Sequence, residues 1–195
     1  MTSPAPPLAR PWSLMGRIGL LLDSIRFEHS VFALPFAYMG MVLAADGFPG
    51  WRTFAWITVA MVSARTVGMA ANRIIDKDID GRNPRAAARH LPSGLLKVNE
   101  MTVMTVIAFA IFMFAASQLN TLALILAPVA TAYLVFYPFT KRFTWAANLL
   151  LGWALAMSPS AAWIGVTGSL SLQPVLLSLA VALWAGSFDI LYHTQ

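Results

Sequence analysis

Residues 101–140 read MTVMTVIAFAIFMFAASQLNTLALILAPVATAYLVFYPFT, 40 positions without one charged side chain. A helix needs about 20 apolar residues to cross the hydrocarbon core of a bilayer. The run therefore holds two crossings, with the expected break at Ser117-Gln118-Leu119-Asn120-Thr121. A second uncharged run, residues 143–188, holds two more. Of the 21 charged residues in the chain of 195, only Lys141, Arg142 and Asp189 lie beyond position 100. Charged types make up 11% of the whole, against about 25% in an ordinary soluble domain. This pattern excludes a soluble globular protein and a disordered tail. The absence of cysteine excludes a disulfide scaffold, thiol catalysis and Cys-ligated zinc.

Outward from this core, a first segment runs from about Arg17 to Ala45 and a second from about Arg52 to Ile75. A basic loop follows from Lys77 to Val98. After the two crossings of the uncharged run, a fifth segment extends to about Val166 and a sixth from about Val175 to the end. The expectation is an all-α polytopic transmembrane helix bundle with six spans and no soluble domain. Residues 1–16, Pro-rich and polar, are expected to form a disordered cytoplasmic leader ahead of one membrane domain, 17–195. With the N-terminus inside, Arg10, Arg17, Lys77, Arg82, Arg85, Arg89, Lys97, Lys141 and Arg142 all fall on the cytoplasmic side and Arg52 alone falls outside. Lys and Arg bias sets orientation, so the net charge of +5 reads as topology and lipid contact, with no nucleic-acid partner. Arg26, Arg65 and Arg73 remain within helices. An intramembrane charge costs about 2.5–3.5 kcal/mol on insertion scales and usually faces the bundle interior.

The densest polar cluster, Asn72-Arg73-Ile74-Ile75-Asp76-Lys77-Asp78-Ile79-Asp80, sits where the second segment leaves the membrane. At about 100° per residue, Asn72, Asp76 and Asp80 fall near 0°, 40° and 80°, with Arg65 near 20° and Asp78 on another face near 240°. Two carboxylates and an amide on one stripe form a hard oxygen-donor set suited to Mg²⁺, which takes one or two carboxylates and leaves other positions to water and phosphate oxygens. Like charges at i,i+4 repel, and a shared cation relieves that cost. A solvated helix end is the usual reading of a DxxxD spacing. It does not account for Asn72 and Arg65 on the same stripe inside the membrane.

Arg82, Arg85 and Arg89, spaced by three and four, would share a face if their loop were helical, and guanidinium forks match phosphate oxygens. Lys141-Arg142 is a second basic pair at the same level. Both also satisfy plain positive-inside topology and contact with anionic lipid. Asp189, with Tyr192 and His193 one turn on, stands at the same membrane depth as the first acidic cluster. Acidic and basic patches meeting at one surface of an apolar bundle suit a lipid diphosphate, its head held by Mg²⁺ and Lys/Arg and its chain lying among helices. Arg26, Glu28, Arg65 and Tyr192 are candidates for orienting an aromatic carboxylate, and spacing does not choose among them. An ion carrier would place its acids near mid-membrane in broken helices, whereas these lie at one surface. In a CDP-alcohol phosphotransferase an Asp-Gly and an Ala-Arg share one helix, and here Asp80-Gly81 and Ala88-Arg89 lie too far apart. No Gly-Lys-Ser/Thr triplet marks a Walker loop.

Taken together these stretches resemble the UbiA-type family of intramembrane aromatic prenyltransferases. Asn72, Asp76 and Asp80 resemble its NxxxDxxxD motif. Residues 26–37 (RFEHSVFALPFA) resemble its first-helix signature, and Asn83-Pro84-Arg85 through Leu91-Pro92-Ser93-Gly94 the loop that follows the motif. Tyr137-Pro138 through Lys141-Arg142-Phe143-Thr144, then Asp189 and Tyr192, complete five motifs in order. The resemblance implies a nine-helix fold of which six helices are present. It also implies transfer of a polyprenyl chain from polyprenyl diphosphate to an aromatic acid, 4-hydroxybenzoate or a related precursor, in ubiquinone or menaquinone synthesis at a bacterial cytoplasmic membrane. Asn72, Asp76, Asp80 and Asp189 would hold Mg²⁺. Arg26, Arg65, Asn72, Lys141, Arg142 and Tyr192 would bind substrate. Arg73 after the asparagine looks more like the 4-hydroxybenzoate or menaquinone branch than the haem or chlorophyll branches. By the same resemblance a further aspartate is expected just past Gln195, so the chain is expected to be incomplete at its C-terminus.

Overall fold

The structure, a computed structural model, describes residues 13–193 except 27, 85, 141, 143, 145 and 146, and the side chains of these except 14, 28–32, 147–148 and 188–193. Regular structure among the described residues is wholly helical: α1 (Leu14–Ser24), α2 (Glu28–Ala45), α3 (Trp51–Arg82), α4 (Val98–Leu119), α5 (Thr121–Thr140), α6 (Ala147–Thr167) and α7 (Leu172–His193). Among the described residues seven helices stand where six segments are expected, because the first segment divides. The Arg26 backbone turns left-handed at φ 48°, a conformation that ends helices. The Arg26 N–H closes a tight turn on the Asp23 carbonyl at 2.9 Å. Of the expected leader, residues 14–16 belong to α1, which Ser13 caps by accepting from the Gly16 N–H at 3.2 Å, and residues 1–12 lie outside the described residues.

The second segment also outruns its expected end at Ile75. α3 has 32 residues, about 48 Å at 1.5 Å per residue, against a hydrocarbon core of about 30 Å. Its last turns therefore project past the apolar layer, carrying Asp76 and Asp80. Pro84 stops it: the residue before a proline is pushed to extended backbone, and Asn83 has φ −95° and ψ 116°.

Four helical stretches, Trp51–Arg82, Val98–Leu119, Thr121–Thr140 and Leu149–Thr167, are long and apolar enough to cross a bilayer. Their outward faces carry exposed Val106, Ile107, Phe114, Ile125, Val129 and Phe136, a surface too apolar for a water-soluble monomer. The chain is an integral membrane protein. At the helix contacts many of the buried positions are small, among them Ala70, Ala115, Ala156, Ala162 and Ala182, the packing expected where lipid is as apolar as leucine. α3 packs on α4, α5 and α2, while α6 packs on α2, α5 and α7.

Two contacts define the ends of the bundle. At one end, Asn120 breaks α4 from α5. Its side-chain oxygen accepts from the Ala123 N–H at 2.9 Å, and its amide donates to the carbonyls of Ile164 and Gly165 at 2.7 and 3.1 Å, tying the α4–α5 turn to the close of α6. At the other end, Arg142 after α5 donates to the Ile75 carbonyl at 2.8 Å, tying the α5–α6 connection to the last turns of α3. α7 runs antiparallel to α6: Ser160 meets Ser178 at 2.7 Å, and a Cβ on Gly152 would lie 2.9 Å from the Gly186 nitrogen. Continued, that register brings residue 189 beside Leu149, in the first turn of α6.

Candidate active site

The polar stripe of α3 divides into two groups at the end of the bundle marked by Arg142. The deeper group gathers on Tyr137 of α5. Asn72 Nδ2 donates to the Tyr137 hydroxyl at 3.3 Å, and Arg65 and Asp76 both lie within electrostatic reach of the same tyrosine. Arg65 Nε is buried and has no hydrogen-bond partner among the described residues. Thus Asn72 bonds Tyr137 between α3 and α5, with Arg65 and Asp76 of the same stripe in its electrostatic neighbourhood.

The outer group gathers on Asp80. Arg89 Nη1 donates to Asp80 Oδ2 at 2.6 Å. Residues 83–96 form a succession of turns rather than a helix among those described, so the arginines of this loop do not share a helical face. Arg82 ends α3, Arg85 lies outside the described residues, and Arg89 folds back on the acid. Arg73 feels Arg89, Asp80, Arg26 and Asp76, and its Nε donates to the Ser24 carbonyl at 2.9 Å, fastening the end of α1 to α3. Arg26 is exposed and stands with this outer group.

Asp76 and Asp80 are each only 8% exposed, so neither is a solvated helix end, while Asp78 on the opposite face is exposed. The two buried carboxylates occupy the last two turns of α3, where unpaired carbonyls already give the helix a partial negative charge. A cation is favoured there by both the side chains and the helix. Among the described residues no three His, Asp or Glu side chains form a complete metal cluster. Asp76 and Asp80 supply two hard oxygen donors, with the Asn72 side chain one turn earlier. This donor set fits Mg²⁺ as one wall of a site. The Asp189 and Tyr192 side chains and all of Lys141 lie outside the described residues. The α7 backbone carries residue 189 to the same end of the bundle. Arg142 is exposed, with its guanidinium 5.3 Å from the Phe139 ring centroid, and among the described residues it donates to the Ile75 carbonyl of α3 and to no aspartate.

Tyr137 and Arg89 are the additions that the fold makes to the candidate set. Each falls in a quoted motif, but its partner is 65 or 9 residues away. One signal for the tyrosine was present: Tyr133 and Tyr137 are one turn apart in a helix without charged residues, and buried phenols usually find a partner. Tyr133 does so as well, donating to the Leu150 carbonyl at 2.8 Å.

Comparisons with known proteins bear on this arrangement. The chain is 28% identical over 152 residues to the 4-hydroxybenzoate octaprenyltransferase of Aliivibrio salmonicida, an alignment covering 78% of this chain and 53% of that protein. The chain thus spans about half the length of the relatives it matches first. A UbiA homolog from Aeropyrum pernix K1 superposes with a TM-score of 0.78 at 36% identity, over 85% of this chain and 63% of that one. A UbiA homolog from Archaeoglobus fulgidus, solved bound to DMAPP and Mg²⁺, superposes with a TM-score of 0.65 over 86% of this chain and 60% of that one. At 18% identity this last is a likeness of fold. The description of the UbiA prenyltransferase family matches residues 33–195, a range that takes in every helix from the middle of α2 onward. Sequence and fold agree over most of the molecule, and the chain belongs to the UbiA prenyltransferase family.

Proposed function

We propose that this chain seats the diphosphate of a polyprenyl donor and the polar end of an aromatic acceptor for prenyl transfer, with 4-hydroxybenzoate or a related quinone precursor as acceptor. The observation that carries the reading is the burial of Asp76 and Asp80 on one face of α3, at the end of an apolar bundle and beside Arg73 and Arg89. In the reaction the allylic C1–O bond of the donor breaks and its electron pair leaves with the diphosphate. A ring carbon of the acceptor then bonds C1, and the ring loses a proton. Asn72, Asp76 and Asp80, completed by Asp189 from α7, would hold Mg²⁺. When bound, Mg²⁺ supplies charge stabilisation at the leaving oxygen.

The chain's own cations act on the same oxygens. Arg73 and Arg89 flank the aspartates, and fixed guanidinium groups stabilise developing anionic charge without reorganisation. Lys141 and Arg142 add positive charge at that end. Arg65 is better placed than Arg26 for the acceptor carboxylate. It has a buried donor with no partner among the described residues and lies beside Asn72 and Tyr137, while Arg26 is exposed. The apolar helices keep water from the allylic cation. By Lys and Arg bias the site end faces the cytoplasm, and the bacterial relatives support an inner-membrane location.

The test is an assay of membranes containing the chain, supplied with a polyprenyl diphosphate, Mg²⁺ and a panel of aromatic acids. Prenylated 4-hydroxybenzoate or a related product is expected. Asp76→Asn is expected to lose most turnover while keeping the wild-type melting temperature in detergent. Full turnover by that variant would refute the assignment.

A further inference from the structure

α1 is amphipathic in the reverse sense of a helix on a soluble protein. Its inward side is tied to the protein: Arg17 pairs with Glu100 at the start of α4 and the Ser24 carbonyl accepts from Arg73, while Asp23, exposed at the edge of the outward face, meets His90 Nε2 at 3.2 Å. Leu20 and Leu21 pack beside them on the cluster of Ile25, Ala70, Leu91, Leu96 and Met101. The opposite arc is apolar. At about 100° per residue, Met15, Ile18 and Leu22 fall within about 60° of one another, roughly opposite Arg17, Leu20 and Ser24. They are 85%, 48% and 38% exposed.

We propose that this arc docks on the bilayer surface, so that α1 lies in the membrane interface at the site end. Three observations select lipid as the occupant. First, α1 has 11 residues, about 16 Å of helix, too short to cross about 30 Å of hydrocarbon. The left-handed turn at Arg26 also separates it from α2. Second, its polar contacts are to the end of α3, the start of α4 and the loop between them. These fix it at the level where α3 leaves the apolar layer, which is the interface. Third, its outward face continues into lipid-facing surface: Leu22 borders an apolar groove between α3 and α4 whose other walls include Val59, Val62, Met104, Ile107 and Ile111. An interfacial helix buries its apolar face about 5–10 Å into the boundary of headgroups and acyl chains. Through Ser24 and Asp23 the docked helix also braces Arg73 and the loop that carries Arg89.

The chain has no cysteine, so single-cysteine labelling needs no background removal. Met15→Cys and Ile18→Cys, made separately so that failure of one leaves the other, are labelled with a small environment-sensitive fluorophore. The labelled proteins are reconstituted in phosphatidylcholine–phosphatidylglycerol vesicles. Ala88→Cys, exposed on the loop, serves as the aqueous control. Aqueous iodide is expected to quench positions 15 and 18 several-fold less than position 88. Phosphatidylcholine with a doxyl group high on its acyl chain is expected to quench them more than lipid with the group placed deep. Iodide quenching equal to position 88 would overturn the proposal in favour of a water-facing helix. Shielding from both quenchers would overturn it in favour of cover by protein. Cross-linking between copies through Ile18→Cys that survives dilution with lipid would assign the face to a second copy instead.

Discussion

Replacing Gly40 with alanine tests the packing that carries the bundle. Gly40 lies on α2 against α6. A Cβ there would stand 2.3 Å from the Pro159 carbonyl oxygen, 2.7 Å from its Cα and 2.8 Å from its carbonyl carbon. Non-bonded carbons prefer about 3.5–4.0 Å, so the two backbones must part by roughly 1 Å. Neither can yield by a rotamer change, because both sides of the contact are main chain. Overpacking of this kind costs about 1–3 kcal/mol. Against it stands the gain of about 1 kcal/mol when alanine replaces glycine inside a helix. Gly19 on α1 isolates that gain, since a Cβ there meets nothing within 4 Å. Both variants share the propensity term, so the difference between them is the packing term alone. At about 2–4 °C per kcal/mol for a chain of this size, Gly40→Ala should melt roughly 2–12 °C below Gly19→Ala in the same detergent. Intrinsic tryptophan fluorescence during thermal denaturation measures it. A Gly40→Ala protein melting at or above Gly19→Ala would show that α2 and α6 do not meet through these backbones.

Other outcomes follow from single contacts. Arg89→Gln leaves the buried Asp80 carboxylate without its guanidinium and should lower stability by about 1–3 kcal/mol, with Mg²⁺ raising the melting temperature of the variant more than that of the wild type; no difference in the metal response would count against Asp80 as a ligand. Tyr137→Phe removes the acceptor for Asn72 and should cost about 0.5–1.5 kcal/mol, and on the proposed function it should raise KM for the aromatic acid more than KM for the diphosphate, as steady-state assays would show. Asn120→Ala strips a helix cap and two bonds to α6; losing the cap alone is worth about 0.5–2 kcal/mol, and proteolysis of vesicles at the α4–α5 turn should speed up accordingly.

Much of this molecule was legible along the chain because membrane insertion is a local, additive criterion. The 40- and 46-residue uncharged runs reach the required length whatever they later touch, and α4 through α7 fall where those runs place them. The stripe of Arg65, Asn72, Asp76 and Asp80 was legible for a similar reason: it depends only on helical period, and α3 keeps that period through Arg82. The division of the first segment at Arg26 was less visible. No glycine or proline marks it, and the left-handed turn is held by contacts of α1 with residues more than 40 positions away.

Length, hydropathy and period, all properties of neighbours in the chain, thus determined that the protein is a helical membrane bundle with an acidic stripe at one end. Tertiary structure alone decided what the stripe meets. Asn72 turns to Tyr137, Asp80 to Arg89 and Arg73 to the Ser24 carbonyl, because the loop after α3 folds back and α5 passes alongside. A buried charge must find a partner, but its sequence position does not say which one. That choice belongs to the packing of helices joined by long uncharged spans, where any of several cations would satisfy the local chemistry and the fold decides which are brought within reach.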